Sequence, residues 1–147
     1  MGQVGPSVDL AASVGYRVKQ ASSALHGAME AVLRPLGMNI TQYSCLELLA
    51  QRPGLSVAEL ARGAFVTRQS MHVLLQALER DGSVVRPAVA PVGRALPAEL
   101  TPLGRERLAA ASVAVRGVED RMRAGLDEAE VVQLAALLDR CVEGLQD

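Results

Sequence analysis

The sequence predicts a mainly α-helical fold with one small β-hairpin. Apolar residues recur every third or fourth position over most of the 147 residues, as in helices that bury one face. Only three residues are aromatic, and a core of Ala, Val and Leu suits closely packed helices. Short β-type runs separated by Pro and Gly are concentrated in one stretch, residues 83–100. This length predicts a single domain.

A long amphipathic helix is predicted over residues 9–36. Pro35-Leu36-Gly37 marks its end. An apolar stripe of this length is hard to cover within one small domain, so we expect it to meet a second chain. The stripe consists of Leu10, Val14, Val18, Ala21, Leu25, Met29, Val32 and Leu36.

Capping boxes mark the starts of the next two helices. Asn39 with Gln42 opens a helix that runs to about Arg52, and Ser56 with Glu59 opens a shorter one. The inward positions of the first are Tyr43, Leu46, Leu49 and Ala50, and the apolar side of the second is Leu55, Val57, Leu60 and Ala61.

A tight turn at residues 62–66 leads into a fourth helix. Thr67 can cap this helix, and Gly82 lies just past its end, where glycine is the preferred residue. Two helices joined by so short a turn predict a helix-turn-helix. The inward face of this fourth helix, the second of the pair, is Met71, Leu74, Leu75 and Leu78.

The outward face of the fourth helix carries residue types that can recognise DNA bases. A helix-turn-helix places its second helix in the major groove, where residues near the N-terminus contact base edges. Arg68 could read guanine and Gln69 could read adenine. The alternative is an ordinary solvated surface, and for the two helices alone the interpretations weigh equally. The predicted major-groove residues are Thr67, Arg68, Gln69, Ser70, His72 and Gln76.

A β-hairpin is predicted after this helix. Its strands are the short runs Ser83 to Arg86 and Ala95 to Leu100. Arg94 stands at the tip, where it could reach a minor groove, and Arg86 is a candidate backbone or structural charge. Pro97 cannot donate to a strand ladder, so its strand must be an edge or irregular strand.

Two further helices complete the chain. Thr101 and Pro102 open one that runs to about Ala124, and Asp127 with Glu130 forms a capping box for the last. The terminal helices carry more apolar surface than one small lobe can bury, which predicts a homodimer. The alternative is a monomer whose end helices fold back on its own core. The apolar stripe of the last helix consists of Val131, Leu134, Leu138, Val142 and Leu145.

Several local signatures, taken together, resemble the MarR family of winged-helix transcription regulators. They cover nearly the whole chain. They are Asn39-Ile40-Thr41-Gln42-Tyr43, the helix start at 56–61, the run 78–82 followed by Val85-Arg86, and Arg94 with the later Leu100-Thr101-x-x-Gly104.

This resemblance implies a fold and a function. The fold would be a winged helix-turn-helix at 39–101 between dimerisation helices at 9–36 and 102–147. The function would be a dimeric regulator, in our interpretation a repressor, that binds a pseudo-palindromic operator in double-stranded DNA. Family members commonly bind small aromatic or phenolic effectors between the dimerisation helices and the DNA-binding lobe. Plain core packing is the alternative for the candidate effector residues, which are Tyr16, His26, Met29 and Tyr43.

Three positions depart from the family pattern. Val92 stands where an acidic residue is usual, Val73 where a basic one is common, and Ser83 where a leucine is usual. Val92 leaves Arg94 without its usual acidic partner. Val73 removes one expected contact to DNA. These departures motivate an alternative function, a winged-helix protein-interaction module that has lost DNA binding.

The two cysteines raise a second alternative, a thiol-based redox-sensing regulator. A sensing thiol needs a lowered pKa and some exposure. Cys45 and Cys141 lie on separate predicted helices, and both are interpreted first as small buried hydrophobes. The absence of a CxxC or Cys/His cluster favours a reduced, cytoplasmic compartment.

Charge and motifs narrow the function further. The net charge is −1, but residues 52–107 hold eight arginines and five acidic residues, a basic middle that fits a DNA-facing module. No signal peptide or membrane-spanning run is predicted. No phosphate loop, nucleophile elbow or metal-ligand spacing is found, so we expect no cofactor, no metal and no enzyme activity. A small enzyme or sequestering protein that uses the dimer cleft is the least favoured interpretation.

Overall fold

The structure, a computed structural model, describes residues 7–86 and 98–147. The predicted wing tip with Arg94, together with Val92 and Pro97, lies outside the described residues. Within these two ranges the chain is mainly helical with one small antiparallel sheet, which confirms the predicted fold class.

Six α-helices and two strands follow one another along the described chain. A 3-10 turn, Arg34–Leu36, follows the first helix, and the strands pair with Val84 opposite Leu100. The elements are α1 Val14–Leu33, α2 Ile40–Gln51, α3 Val57–Gly63, α4 Arg68–Arg80, β1 Val84–Val85, β2 Glu99–Leu100, α5 Pro102–Arg123 and α6 Glu128–Leu145.

Local capping chemistry determines where all six of these helices begin. A side-chain oxygen before each helix accepts a hydrogen bond from a backbone N–H in the first turn, which would otherwise lack a partner. Three of the six are complete capping boxes, those of α2, α3 and α6. The predicted N-caps are therefore confirmed at Asn39, Ser56, Thr67, Thr101 and Asp127.

Two sequence predictions about helix limits and faces are wrong. The first helix begins at Val14 and not at Asp9, because the Ser13 hydroxyl accepts from the Tyr16 N–H and caps it there. It also ends at Leu33, before the 3-10 turn that contains Pro35. Ala50, predicted to face inward, is exposed.

The core lies where α2, α3 and α4 meet α1 and the first half of α5. The predicted inward face of α4 is confirmed, since Met71, Leu75 and Leu78 are at most 1% exposed and Leu74 packs against them. Burying one such side chain stabilises the fold by about 1.5–3 kcal/mol. This core therefore fixes which side of α4 faces outward.

A polar junction joins the end of α4 to the start of α5. The Thr101 N–H donates to the Ser83 carbonyl at 3.0 Å, and the Thr101 hydroxyl donates to the same oxygen at 3.1 Å. Arg107 Nη1 donates to Asp81 Oδ2 at 2.9 Å and to Ser83 Oγ at 2.6 Å. Gly104 lets the two backbones meet, because a Cβ there would lie 2.0 Å from the Ser83 oxygen. The orientation of α4 is thereby tied to α5.

Asp81 should make the stability of this junction depend on pH. Burial alone would raise the pKa of Asp81, but hydrogen bonds from Ser83 and Arg107 prevail and hold the pKa below the ordinary 3.8. A carboxylate with a lowered folded pKa contributes stability above the unfolded pKa and loses it as pH falls through the folded one. We expect Asp81→Asn to lower the free energy of unfolding near neutral pH, with a difference from wild type that narrows below pH 3.8. Urea unfolding at several pH values measures this, and the exposed Asp139→Asn is the control. A difference that stays constant with pH would contradict the assignment.

The last helix, α6, extends from the rest of the described chain. None of its residues is buried, and its contacts with the other elements are sparse. Its apolar stripe, predicted from the sequence, therefore faces outward, with Leu134, Leu138 and Val142 each at least 41% exposed. In the described part of the chain, no helix is both long enough and apolar enough to cross a membrane.

Candidate nucleic-acid interface

The helix-turn-helix consists of α3, a four-residue turn and α4. The Ala64 and Val66 N–H groups donate back to Leu60 and Ala61 at 2.9 and 3.0 Å, which ends α3 tightly. Phe65 lies between them with φ of 59°, in the left-handed region. The chain thus reverses in very few residues and enters α4 at Thr67.

The N-terminal end of α4 is held by two hydroxyls. Thr67 Oγ1 accepts from the Ser70 N–H at 3.0 Å and donates to Ser70 Oγ at 2.9 Å. These predicted site residues are therefore engaged in capping, which positions the helix end. Arg68 and Gln69 follow directly and are exposed. Helix N-termini also carry partial positive charge, which favours an approaching phosphate.

One exposed face of α4 brings together most of the predicted major-groove residues. Gln69, Val73, Gln76 and Arg80 follow one another at spacings of four, three and four residues, so they form a single stripe. Arg68 and His72 are also exposed. The buried face of the same helix points the opposite way, into the core. The arrangement can present hydrogen-bond donors and acceptors to the edges of bases.

Arg86 occupies a different place from these residues. Its Nε lies 2.7 Å from Glu79 Oε1, and the pair joins the end of β1 to the last turn of α4. Its side chain is 31% exposed. The structure thus places Arg86 as a charge that holds the wing base against α4.

The two candidate redox cysteines lie in opposite environments. Cys45 is fully buried, and this burial raises the pKa of its thiol to about 12, although the Arg86 charge acts in the other direction. A buried thiol with so high a pKa is poorly suited to react with oxidants. Cys141 is exposed in the described chain, so its predicted burial within one chain is wrong.

The four candidate effector residues are spread over α1 and α2. Tyr16 is 41% exposed, and His26 is exposed with its Nε2 3.6 Å from Glu30 Oε1. Met29 and Tyr43 instead pack against the core. None of the four lines either of the two α1 cavities described below.

Tyr43 belongs to a polar cluster between α2 and α5. Its hydroxyl donates to Glu47 Oε2 at 2.8 Å, and burial followed by the Glu47 contact raises the pKa of Tyr43 to about 12. Ser112 on α5 donates to the same oxygen at 3.0 Å. Burial would raise the pKa of Glu47, but hydrogen bonds from Gln51, Tyr43 and Ser112 hold that pKa below its usual range. The cluster therefore keeps a charged carboxylate between the helix-turn-helix lobe and α5.

Two apolar cavities border α1, and sequence periodicity gave no sign of either. The smaller, of about 280 Å³, lies between α1 and α5, and Arg121 is the one charged side chain among the described residues that line it. The larger, of about 480 Å³, is lined by Val14, Arg17, Val18, Ala21, Ser22, Leu25, Met122, Leu134, Leu137, Leu138 and Cys141. Among the described residues, no group of three or more His, Cys, Asp or Glu side chains could hold a metal ion.

Comparison with known proteins identifies relatives of the whole arrangement. A family model described as "MarR family" matches residues 36–95, which include the helix-turn-helix. The HTH-type transcriptional repressor Rv2887 of Mycobacterium tuberculosis is 40% identical over 129 residues, covering 88% of this chain and 93% of the relative.

Two solved structures of Rv2887 superpose on the chain. Its complex with salicylic acid matches with a TM-score of 0.73 and 39% identity, over 88% of this chain and 96% of that one. Its complex with DNA matches with a TM-score of 0.71 and 35% identity, over 88% and 98% of the two chains. Rv2887 has therefore been crystallised both with salicylic acid and with DNA.

Proposed function

The chain belongs to the MarR family of transcriptional regulators, and from this premise we propose that it is a homodimeric, cytoplasmic repressor that binds a specific DNA operator. We further propose that a small aromatic molecule changes its affinity for that operator. A transcriptional regulator is not an enzyme, and the proposal includes no catalytic step.

The observation that carries this proposal is the exposed face of α4. The helix is anchored by a buried apolar face and a hydroxyl cap, while Arg68, Gln69 and Gln76 are exposed. Arginine and glutamine are the side chains that pair bidentately with guanine and adenine. We propose Arg68, Gln69, His72 and Gln76 as base contacts. Thr67 and Ser70 would position the helix end and contact the backbone, and Arg94 remains the proposed wing contact.

A second copy of the chain is the proposed occupant of the outer faces of α1 and α6. An 18-residue helix with no buried residue is marginal on its own, since most helix stability comes from packing. The cavity of about 480 Å³ shows apolar side chains from α1, α5 and α6 gathered on one side of the chain. A two-fold dimer would cover them.

Such a dimer has a direct consequence for the operator. Two copies of α4 related by a two-fold axis would enter the major groove about 34 Å apart, one turn of the duplex. The operator is therefore proposed to be pseudo-palindromic, with half-sites centred about one turn apart. The capped N-terminus of α4 and its junction with α5 would fix the angle at which each helix enters.

The effector is proposed to act by shifting a population of dimers. A ligand lowers DNA affinity only if it binds better to dimers whose α4 helices are wrongly spaced. Tyr16, His26, Met29 and Tyr43 remain the proposed contacts. Arg121, which lines the separate cavity between α1 and α5, is a proposed partner for a carboxylate. Rv2887 was crystallised with salicylic acid, so this compound is the first to add to the protein–DNA complex.

Replacing Arg68 tests the proposed reading face. We expect Arg68→Ala to weaken binding to the specific site by about 1–3 kcal/mol per recognition helix, because it removes a bidentate base contact. Fluorescence anisotropy measures this loss, with a tight-binding duplex selected from random sequences by the wild-type protein and with unselected random DNA. Arg123→Ala, which removes an exposed arginine at the end of α5, is the matched control.

The pattern of losses distinguishes the possible roles. A loss confined to the specific site supports base reading by Arg68. Equal losses on specific and random DNA would show that Arg68 contacts phosphate instead. Unchanged binding to both would remove the N-terminal end of α4 from the proposed interface.

A further inference from the structure

Phe65 is an exposed aromatic side chain directly before the DNA-reading helix. It is 94% exposed, while its neighbour Val66 packs against the core. It lies two residues ahead of the capping Thr67 and three ahead of Arg68. The only phenylalanine in the chain is therefore placed beside the proposed interface and contributes little to the core.

The backbone at Phe65 is also unfavourable for a phenylalanine. With φ of 59° it is the one non-glycine residue of positive φ among the described residues. Side chains with a Cβ are disfavoured there, and glycine or asparagine would close the same turn more easily. The backbone strain costs the free protein stability, and the exposed ring gains no burial within the described chain to offset it. A contact with a bound partner would supply that burial.

Val73 is a second exposed apolar side chain of the helix-turn-helix, on α4. It is 60% exposed and stands between Gln69 and Gln76 in the outward stripe of α4. Its neighbours in the stripe are polar, so it interrupts a surface of hydrogen-bonding groups. An apolar side chain at this position makes no hydrogen bond to a base, but it can pack against one.

We infer that Phe65 and Val73 contact the 5-methyl groups of thymines in the major groove, Phe65 from the turn before α4 and Val73 from the middle of the outward stripe of α4. The thymine methyl is the one apolar group that base edges present there, and apolar side chains read it by contact. The inference rests on the proposed DNA-binding function and adds to it a thymine at two positions of each half-site. It also gives Val73 a role that does not depend on charge.

The test removes single methyl groups from the DNA. A tight-binding duplex is first selected from random sequences with the wild-type protein. Each thymine of its half-sites is then replaced in turn by deoxyuridine, which lacks only the methyl group. Binding is measured by anisotropy for wild type, Phe65→Asn, Val73→Ala and the control Val113→Ala, which alters an exposed valine on α5. Asparagine tolerates the left-handed backbone, and alanine favours a helix, so both variants should fold.

In wild type we expect two thymines per half-site whose replacement weakens binding about fourfold, the equivalent of one buried methyl group. Phe65→Asn should abolish the sensitivity at one of these positions and Val73→Ala at the other. The salt dependence of binding should be unchanged in both variants, because no phosphate contact is lost. Val113→Ala should keep both sensitivities.

Three results would overturn the inference. Equal wild-type binding with every thymine replaced would contradict the methyl contacts while leaving DNA binding intact. Full sensitivity retained by both variants would do the same. Selection that yields no bound duplex would contradict the proposed function itself, and the inference with it.

Discussion

Gly104→Ala should destabilise the protein by about 3–5 kcal/mol. The new methyl group would lie 2.0 Å from the Ser83 carbonyl oxygen, a backbone atom that no change of rotamer can move. Relief requires α5 to move away from the α4–β1 connection. Such overpacking costs about 1–3 kcal/mol, and each hydrogen bond that Thr101 donates to Ser83 adds about 1 kcal/mol if it is lost.

Urea unfolding at a fixed protein concentration measures this effect, since the stability of a dimer depends on concentration. Gly117→Ala is the matched control in the same helix, where nothing lies within 4 Å of the added Cβ. Alanine should stabilise that position by about 0.5–1 kcal/mol. Equal stabilities for the two variants would show that the contact between Gly104 and Ser83 is not close in solution.

Leu138→Asp should convert the protein to a monomer. Leu138 lines the apolar cavity between α1, α5 and α6, where the second chain is proposed to lie. Each protomer would lose a leucine that the proposed dimer buries, worth about 1.5–3 kcal/mol, and would gain a charge without a partner. The dissociation constant of the dimer should therefore rise about 1,000-fold or more, since each 1.4 kcal/mol is a factor of ten.

Sedimentation velocity over a range of concentrations gives the state of assembly. Ala136→Asp introduces the same charge on the opposite face of the same helix, away from the cavity, and should leave the dimer intact. The monomeric variant should also lose most of its affinity for the operator, because a single α4 contacts only one half-site. A Leu138→Asp protein that remains dimeric would place the interface elsewhere.

Local chemistry made most helix starts predictable from the sequence. A capping box needs only four consecutive residues, so Asn39 with Gln42 and Asp127 with Glu130 identified their helices without any tertiary information. The same holds for Thr67, whose cap places the exposed residues at the start of α4. The inward face of α4 followed from periodicity alone.

Features that depend on packing between helices were not predictable in this way. Periodicity could not show that Ala50 and Cys141 are exposed, because the burial of a residue depends on whether another helix or strand covers its face. The cavity beside Arg121 arises only when α1 meets α5. From the sequence, Phe65 is predicted only to belong to the turn at residues 62–66. Its positive φ and its exposure cannot be predicted from the residues next to it.

The most direct test of the account is wild-type binding to DNA from upstream of its own gene, compared with random DNA by fluorescence anisotropy. The two titrations are repeated at about 50 and about 200 mM salt, over which range the release of counterions from several phosphate contacts strongly reduces affinity. We predict tighter binding to the upstream duplex, a loss of affinity by about tenfold or more at the higher salt, and one dimer per site. Absence of binding to both duplexes would contradict the claim that this chain is a DNA-binding repressor.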